Sequence, residues 1–227
     1  MTVIAFENPR TAAKLDRRGR IIAEARRLIG AHGFEGLSLR KLAAAAEVTV
    51  PTIYNLIGGK DQILTELFAD WVGMIEQELT KIDEDHPLDK AEAVVVEATR
   101  MIGENKEYFR SAQIAADHLQ RSGSDSEDWK QLGSRSASMQ ENAARLAQEQ
   151  GLLRGDVPAR ILGEQIFANY RVASSAWTYG RISLERFRHD GLLGVYLYFL
   201  SDATEVFRPV LLKKLDGLKA QAVSSDQ

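Results

Sequence analysis

The chain has 227 residues, 44% hydrophobic and 27% charged, a balance that suits one large folded domain or a small domain beside a larger one. It contains no cysteine, which excludes disulfides, thiolate metal sites and cysteine nucleophiles. The net charge of −3 is unevenly spread: residues 1–60 carry ten Lys/Arg against five Asp/Glu, a net +5, which leaves −8 on residues 61–227. A basic head on an acidic body points to a polyanion at the head.

The first ten residues lack the basic-then-apolar profile of a signal peptide. The longest apolar run, Leu192 to Leu200, is less than half of the roughly 20 residues that a membrane span needs. The expectation is a soluble, cytoplasmic protein with no membrane partner.

Residues 1–16 read as a flexible tail. From Arg17 to His32, Ile21, Ala25, Leu28 and Ile29 recur at helical spacing, and Gly33 stands where a helix C-cap glycine belongs. Ser38 is placed to cap a short helix, Leu39 to Ala45, with Leu39, Leu42 and Ala43 on one face.

The next stretch, VTVPTIYNLIGGKD over residues 48–61, has three readings. A lone strand between helices would lack a partner. A phosphate loop needs glycine where Tyr54 stands, and Ser or Thr where Asp61 stands. A short helix fits: Thr49 is a good N-cap, and Pro51 falls in the first turn, where a missing N–H costs little. The helix runs from Val50 to Leu56, is closed by Gly58-Gly59, and buries Ile53 and Ile57. Two short helices joined by a tight turn near residues 46–48 make a helix-turn-helix. Its exposed groups suit DNA. Thr49 and Thr52 at the helix start reach phosphate or base edges, as the amides there do. Tyr54 is a phosphate donor, and Asn55 can read adenine. Lys60 adds a charge past the helix, and Ser38 and Arg40 flank it from the preceding one.

Residues 61–82 form a long amphipathic helix with Ile63, Leu64, Leu67, Phe68, Trp71, Ile75 and Leu79 on its apolar side. Further helices are expected over 88–104, 106–121, 128–151, 157–180 and 184–207. The stretches 83–89, 122–128 and 151–156 read as connections, and the tail, residues 217–227, as frayed. With no period-2 pattern, the class is all-α: a three-helix, helix-turn-helix DNA-binding domain over 17–77, then a larger helical effector-binding and dimerisation domain over 78–210.

The segments RIIAEARRLIGAHGFEGLSLRKLA and AEVTVPTIYNLIGGKDQIL resemble the DNA-binding domain of TetR-type transcriptional regulators over about residues 17–77. The helix core, Gly33-Phe34, the Thr49 cap, Tyr54 and Lys60 all fall in register. Two positions depart from the pattern. Glu47 replaces the usual turn glycine, at a cost of about 1–2 kcal/mol if the backbone there is left-handed; Ile57 replaces the usual aromatic. The resemblance implies that Tyr54 and Lys60 hold DNA phosphates and that Thr49 to Asn55, Val50 included, lie in the major groove. It further implies that Arg17 and Arg18 form an N-terminal arm and that the partner is a double-stranded operator. Two more implications concern the body: an effector there shifts helix 61–82, and a homodimer pairs the helices near 157–180 and 184–207. Those two helices are the most apolar of the chain, with Ile161, Leu162, Ile166, Phe167, Leu192, Leu193, Val195, Leu197 and Phe199. The small residues Gly163, Ala173, Ser174, Ala176 and Gly194 permit close approach.

For the effector pocket the candidates are Trp71, Met74, Met101, Tyr108, Phe109, Trp129, Met139, Phe167, Tyr170 and Trp177. Methionine and aromatic linings favour an apolar or aromatic molecule. The four histidines are scattered, and the acidic loop 83–86 reads as solvated, so no metal, cofactor or catalytic set is expected. The function expected is a ligand-responsive repressor. The alternatives are a helical enzyme or small-molecule-binding protein that retains a helix-turn-helix scaffold, and a structural DNA-associated module.

Overall fold

The computed structural model describes residues 9–83, 86–121 and 127–225. Ten helices follow one another: α1 (Pro9–His32), α2 (Leu39–Ala45), α3 (Val50–Leu56), α4 (Lys60–Leu79), α5 (Pro87–Glu104), α6 (Lys106–Arg121), α7 (Glu127–Glu149), α8 (Ala159–Thr178), α9 (Leu184–Ser201) and α10 (Arg208–Ser225). Among the described residues the extended pairing amounts to one isolated antiparallel bridge, Leu153 with Ala203. The all-α class is therefore found.

Several boundaries differ from the sequence reading. The first helix starts at Pro9, inside the expected tail, with proline at the position where its missing N–H costs nothing. The helix expected over 184–207 ends at Ser201, and a tenth helix occupies most of the expected tail. Asp202 causes this break. It is fully buried, and its carboxylate accepts the amides of Gly155, Asp156 and Val157 at 2.9, 3.0 and 3.3 Å. The connection expected at 151–156 is found and is longer, running from the end of α7 at Glu149 to the start of α8 at Ala159. Residues 122–126 of the next connection, and 84–85 of the acidic loop, lie outside the described residues.

The chain forms two compact units, residues 1–70 with 105–126 and residues 71–104 with 127–227, so that the division falls inside α4. In the first unit α1, α2 and α3 pack together over Ile21, Ala25, Ile29, Leu42 and Ile53, all essentially inaccessible, and α6 lies along α1. Two ion pairs tie α1 to α4: Arg18 with Glu66, and Arg26 with Asp70. Arg26 also covers the Tyr108 ring of α6, 5.9 Å from its centroid. Burial pushes the Tyr108 hydroxyl up in pKa, against the pull of that guanidinium.

In the second unit α7 and α8 form a hairpin, and α5, α9 and α10 pack with them over Leu162, Ile166, Val195, Phe199 and Leu211. At Gly163 a Cβ would stand 2.6 Å from the Glu141 amide nitrogen, so only glycine lets α7 and α8 cross this closely. Glu92 of α5 anchors the last two helices. It accepts from the Tyr196 hydroxyl at 2.9 Å and pairs with the Lys214 ammonium at 2.7 Å.

The small residues Gly163, Ala173, Ser174 and Gly194 are buried against this unit's own helices rather than set aside for a second chain. Leu162, Ile166, Val195 and Phe199 are core as well. What α8 and α9 leave outside is narrower, chiefly Val172, 72% exposed, and Leu197, 50% exposed.

Candidate nucleic-acid interface

The turn before α3 is built by backbone hydrogen bonds. The Val48 amide donates to the Ala43 carbonyl at 2.9 Å, and the Glu47 amide to Ala44 at 3.3 Å. This doubly bonded ending of α2 requires a left-handed residue between them. Glu47 supplies it with φ of 53°, the one non-glycine residue with positive φ among those described. A side chain in that conformation costs about 1–2 kcal/mol, so the turn keeps its shape against local preference. The Glu47 side chain is exposed.

Beyond the turn, Thr49 is extended at φ −95°, ψ 156°, and its hydroxyl accepts the Thr52 amide at 3.3 Å. The two threonine hydroxyls lie 2.8 Å apart, so they cap the helix as a pair. Pro51 occupies the first turn of α3, and Ile53 is fully buried beneath it. Ile57 is only half-buried, because the helix has already ended one residue earlier. Gly58 follows with φ of 129°, where a Cβ would fall 2.8 Å from Gln62 Cγ. The Gln62 side chain then accepts the Gly59 amide at 2.9 Å and starts α4.

This framework turns Tyr54 and Asn55 outward, Tyr54 with 56% of its surface exposed. Val50 and Thr52 are half-buried along the same helix. Ser38 stands at the N-cap of α2 with extended backbone, yet its side chain makes no capping bond. Arg40 is exposed, and the Lys60 ammonium sits 4.9 Å from the Phe34 ring centroid, a cation–π contact that holds it at the start of α4.

Ion pairing separates the basic residues of this unit. Arg18, Arg20, Arg26 and Arg27 are engaged by Glu66, Asp16, Asp70 and Glu24. Arg40, Lys41 and Lys60 have no carboxylate partner among the described residues. Lys41 was not singled out from the sequence; its place beside Arg40 on a two-turn helix was the available signal. Arg17 and Arg18 stand within α1 rather than in a loose arm. Arg17 donates to the Ala13 carbonyl at 3.0 Å, while the Arg18 pairing with Glu66 directs its guanidinium to α4.

The effector candidates are divided between the units. Tyr108 and Phe109 belong to the first, with rings 4.9 Å apart edge to face. Trp71, Met74, Met101, Trp129, Met139, Phe167, Tyr170 and Trp177 belong to the second. There Phe187 joins Phe167, Tyr170 and Trp177 in one aromatic group, with neighbouring centroids 5.1–6.3 Å apart. Phe187 lay inside an otherwise charged stretch, ERFRHD, and only the tertiary structure brings it to the others. Among the described residues no group of three His, Asp or Glu side chains could hold a metal ion, and no helix is long and apolar enough to cross a membrane.

A short capped helix behind a tight turn, anchored by Ile53 and presenting Tyr54 and Asn55 between cations without carboxylate partners, defines a helix-turn-helix DNA-binding head. Residues 21–67 match the family model described as bacterial regulatory proteins, tetR family. Over that stretch the chain thus resembles the DNA-binding domain of TetR-type transcription regulators.

The whole fold agrees. A TetR transcription regulator from Haloarcula marismortui superposes with a TM-score of 0.65 at 14% identity, over 84% of this chain and all of that one. SmeT, the repressor of the Stenotrophomonas maltophilia multidrug efflux pump SmeDEF, gives 0.63 at 19% identity, over 84% and 93% of the two chains. FadR from Bacillus subtilis, solved in complex with stearoyl-CoA, gives 0.61 at 15% identity, over 78% and 97%. None of the curated proteins matches the sequence.

Proposed function

We propose that this protein is a cytoplasmic repressor that binds a palindromic operator as a homodimer and is released by a small apolar effector. The observation that carries the DNA reading is the exposed Tyr54 and Asn55 on α3, bracketed by Arg40, Lys41 and Lys60 without carboxylate partners. In this reading Tyr54, Lys60, Arg40 and Ser38 contact phosphates. Thr49, Val50, Thr52 and Asn55 lie along the major groove, Asn55 being suited to adenine. Arg17 adds a phosphate contact from α1, and Arg18 contributes by holding α1 to α4.

Dimerisation is supported by Val172 on α8 and Leu197 on α9, large apolar side chains left exposed on the two helices that resemble the family's pairing helices. A two-fold dimer would set two recognition helices on an inverted repeat. Effector binding in the second unit would act through α4, the helix in which the two units divide. A hundredfold loss of operator affinity would require about 2.7 kcal/mol of coupling.

Selection from a random duplex pool by the full-length protein tests this reading, with particle mass measured in parallel. The expected result is an enriched inverted repeat bound by a dimer. Recovery of no preferred sequence, or sequence-specific binding by a monomer to a single half-site, would overturn it.

A further inference from the structure

A hydroxyl that is buried without a partner has lost its water contacts and gained nothing in return, so such groups are rare and call for an explanation. Two hydroxyls of α8 are in that state. The side-chain oxygens of Tyr170 and Thr178 are buried with no hydrogen-bond partner. Burial alone raises the pKa of the Tyr170 phenol, so it stays a neutral donor at any ordinary pH. With Ser174, itself buried, these residues stand at i, i+4 and i+8 and share one stripe of the helix.

The surroundings are aromatic. The Tyr170 ring lies 5.1 Å from Phe187 and 6.3 Å from Phe167, and Trp177 lies 6.3 Å from Phe187. They are also uncharged. Among the described residues Asp202 is the one charged side chain that is fully buried, and its carboxylate is committed to the amides of residues 155–157.

We propose that this stripe binds an uncharged, mainly aromatic molecule that carries a hydrogen-bond acceptor, with the Tyr170 hydroxyl donating to it and Thr178 completing the polar contact. The proposal rests on the effector-responsive reading above and names the chemistry of its ligand. A carboxylate or phosphate ligand would enter without a buried cation to meet its charge. A polyol would bring more donors and acceptors than two hydroxyls can answer.

The test uses the full-length protein, its Tyr170→Phe variant and three probes followed by fluorescence or calorimetry. Nile red is an uncharged aromatic dye with a carbonyl acceptor; N-phenyl-1-naphthylamine is uncharged and aromatic without one; dodecanoate is an anion. Wild type is expected to prefer Nile red over dodecanoate. Tyr170→Phe is expected to weaken Nile red about tenfold, to leave the naphthylamine unchanged, and to raise the ligand-free Tm by ~2–4 °C, because an unpaired buried hydroxyl has gone. This opposition of weaker binding and higher stability would not come from a merely structural tyrosine.

Equal Nile red affinity in both proteins, equal losses for both dyes, or tighter binding of dodecanoate would overturn the proposal. DNA binding by ligand-free wild type separates the two claims. If it is absent while Nile red binding depends on Tyr170, the regulator reading fails and the ligand site stands. If it is present and the dye results fail, the reverse holds.

Discussion

Both units of this chain leave polar groups without intramolecular partners: in the first, cations flank α3 in sequence, and in the second, two hydroxyls are buried on α8. On the first unit Arg40 and Lys41 are exposed and Lys60 is half-buried against the Phe34 ring, all three without a carboxylate partner, while Arg18, Arg20, Arg26 and Arg27 are occupied by carboxylates. On the second, Arg100, Arg135, Arg145, Arg160, Arg186 and Lys214 are paired while Arg171, Arg208 and Lys213 are exposed without a carboxylate partner, and the hydroxyls of Tyr170 and Thr178, with Gln140 Oε1, are buried without a hydrogen-bond partner. Exposed charges are solvated and cost little to keep, so they remain available to a polyanion that releases its own counterions. Buried hydroxyls cannot be solvated, and they remain available only to something that enters. The net +5 of the first sixty residues therefore says less than the distinction between paired and unpaired charge within it.

Five substitutions would break or sharpen this contrast. The largest effect is expected at the anchor of the recognition helix. Ile53→Ala should cost about 2–5 kcal/mol, because it empties a fully buried site under α3, and DNA binding should be lost with it. Denaturant unfolding followed by circular dichroism checks the first part; a loss below ~1 kcal/mol would mean that α3 is not held by its core contact.

Asp202→Ala should cost about 2–3 kcal/mol, since it strips three amides of their acceptor and frees the 151–157 connection. Faster hydrogen exchange at Gly155, Asp156 and Val157, with protection kept in α3, is the matching local signature. Arg40→Ala should weaken DNA binding by roughly 1 kcal/mol on every sequence alike, as a phosphate contact would. Arg27→Ala, which removes a cation already paired with Glu24, should change it far less. Comparable losses would refute the paired-versus-unpaired distinction.

The smallest effect is a gain. Glu47→Gly should stabilise the protein by ~1 kcal/mol and raise Tm by ~2–4 °C, because glycine adopts the left-handed turn without strain. An unchanged or lower Tm would show that the Glu47 side chain makes contacts that offset its backbone cost.

The parts of the fold that local chemistry determines were legible in the sequence. Thr49 as cap, Pro51 in the first turn and Val50 to Leu56 as the helix follow from short-range rules, the strain at Glu47 was implied by the family resemblance, and the structure has each of them. The end of α9 was not legible. Phe199, Ala203, Phe207 and Leu211 continue an apolar helical spacing through the break, and the break is set by Asp202 reaching amides some forty-five residues earlier.

Nor could periodicity tell which small residues face the chain's own core. Gly163 and Gly194 look like interface residues until α7 and Asn169 are seen against them. The outward side chains of α3, Tyr54 and Asn55, lie within one continuous segment, so local spacing alone could place them. The aromatic group around Phe187 is assembled from two helices and needed the fold.

The central claim is that the unpaired cations beside α3 meet DNA phosphate. The most direct measurement is the salt dependence of DNA affinity for wild type and Lys60→Ala on the same selected duplex. The logarithm of the affinity should fall linearly with the logarithm of salt concentration, and Lys60→Ala should lower that slope by about one. Binding that ignores salt, or a slope that Lys60→Ala leaves unchanged, would contradict it.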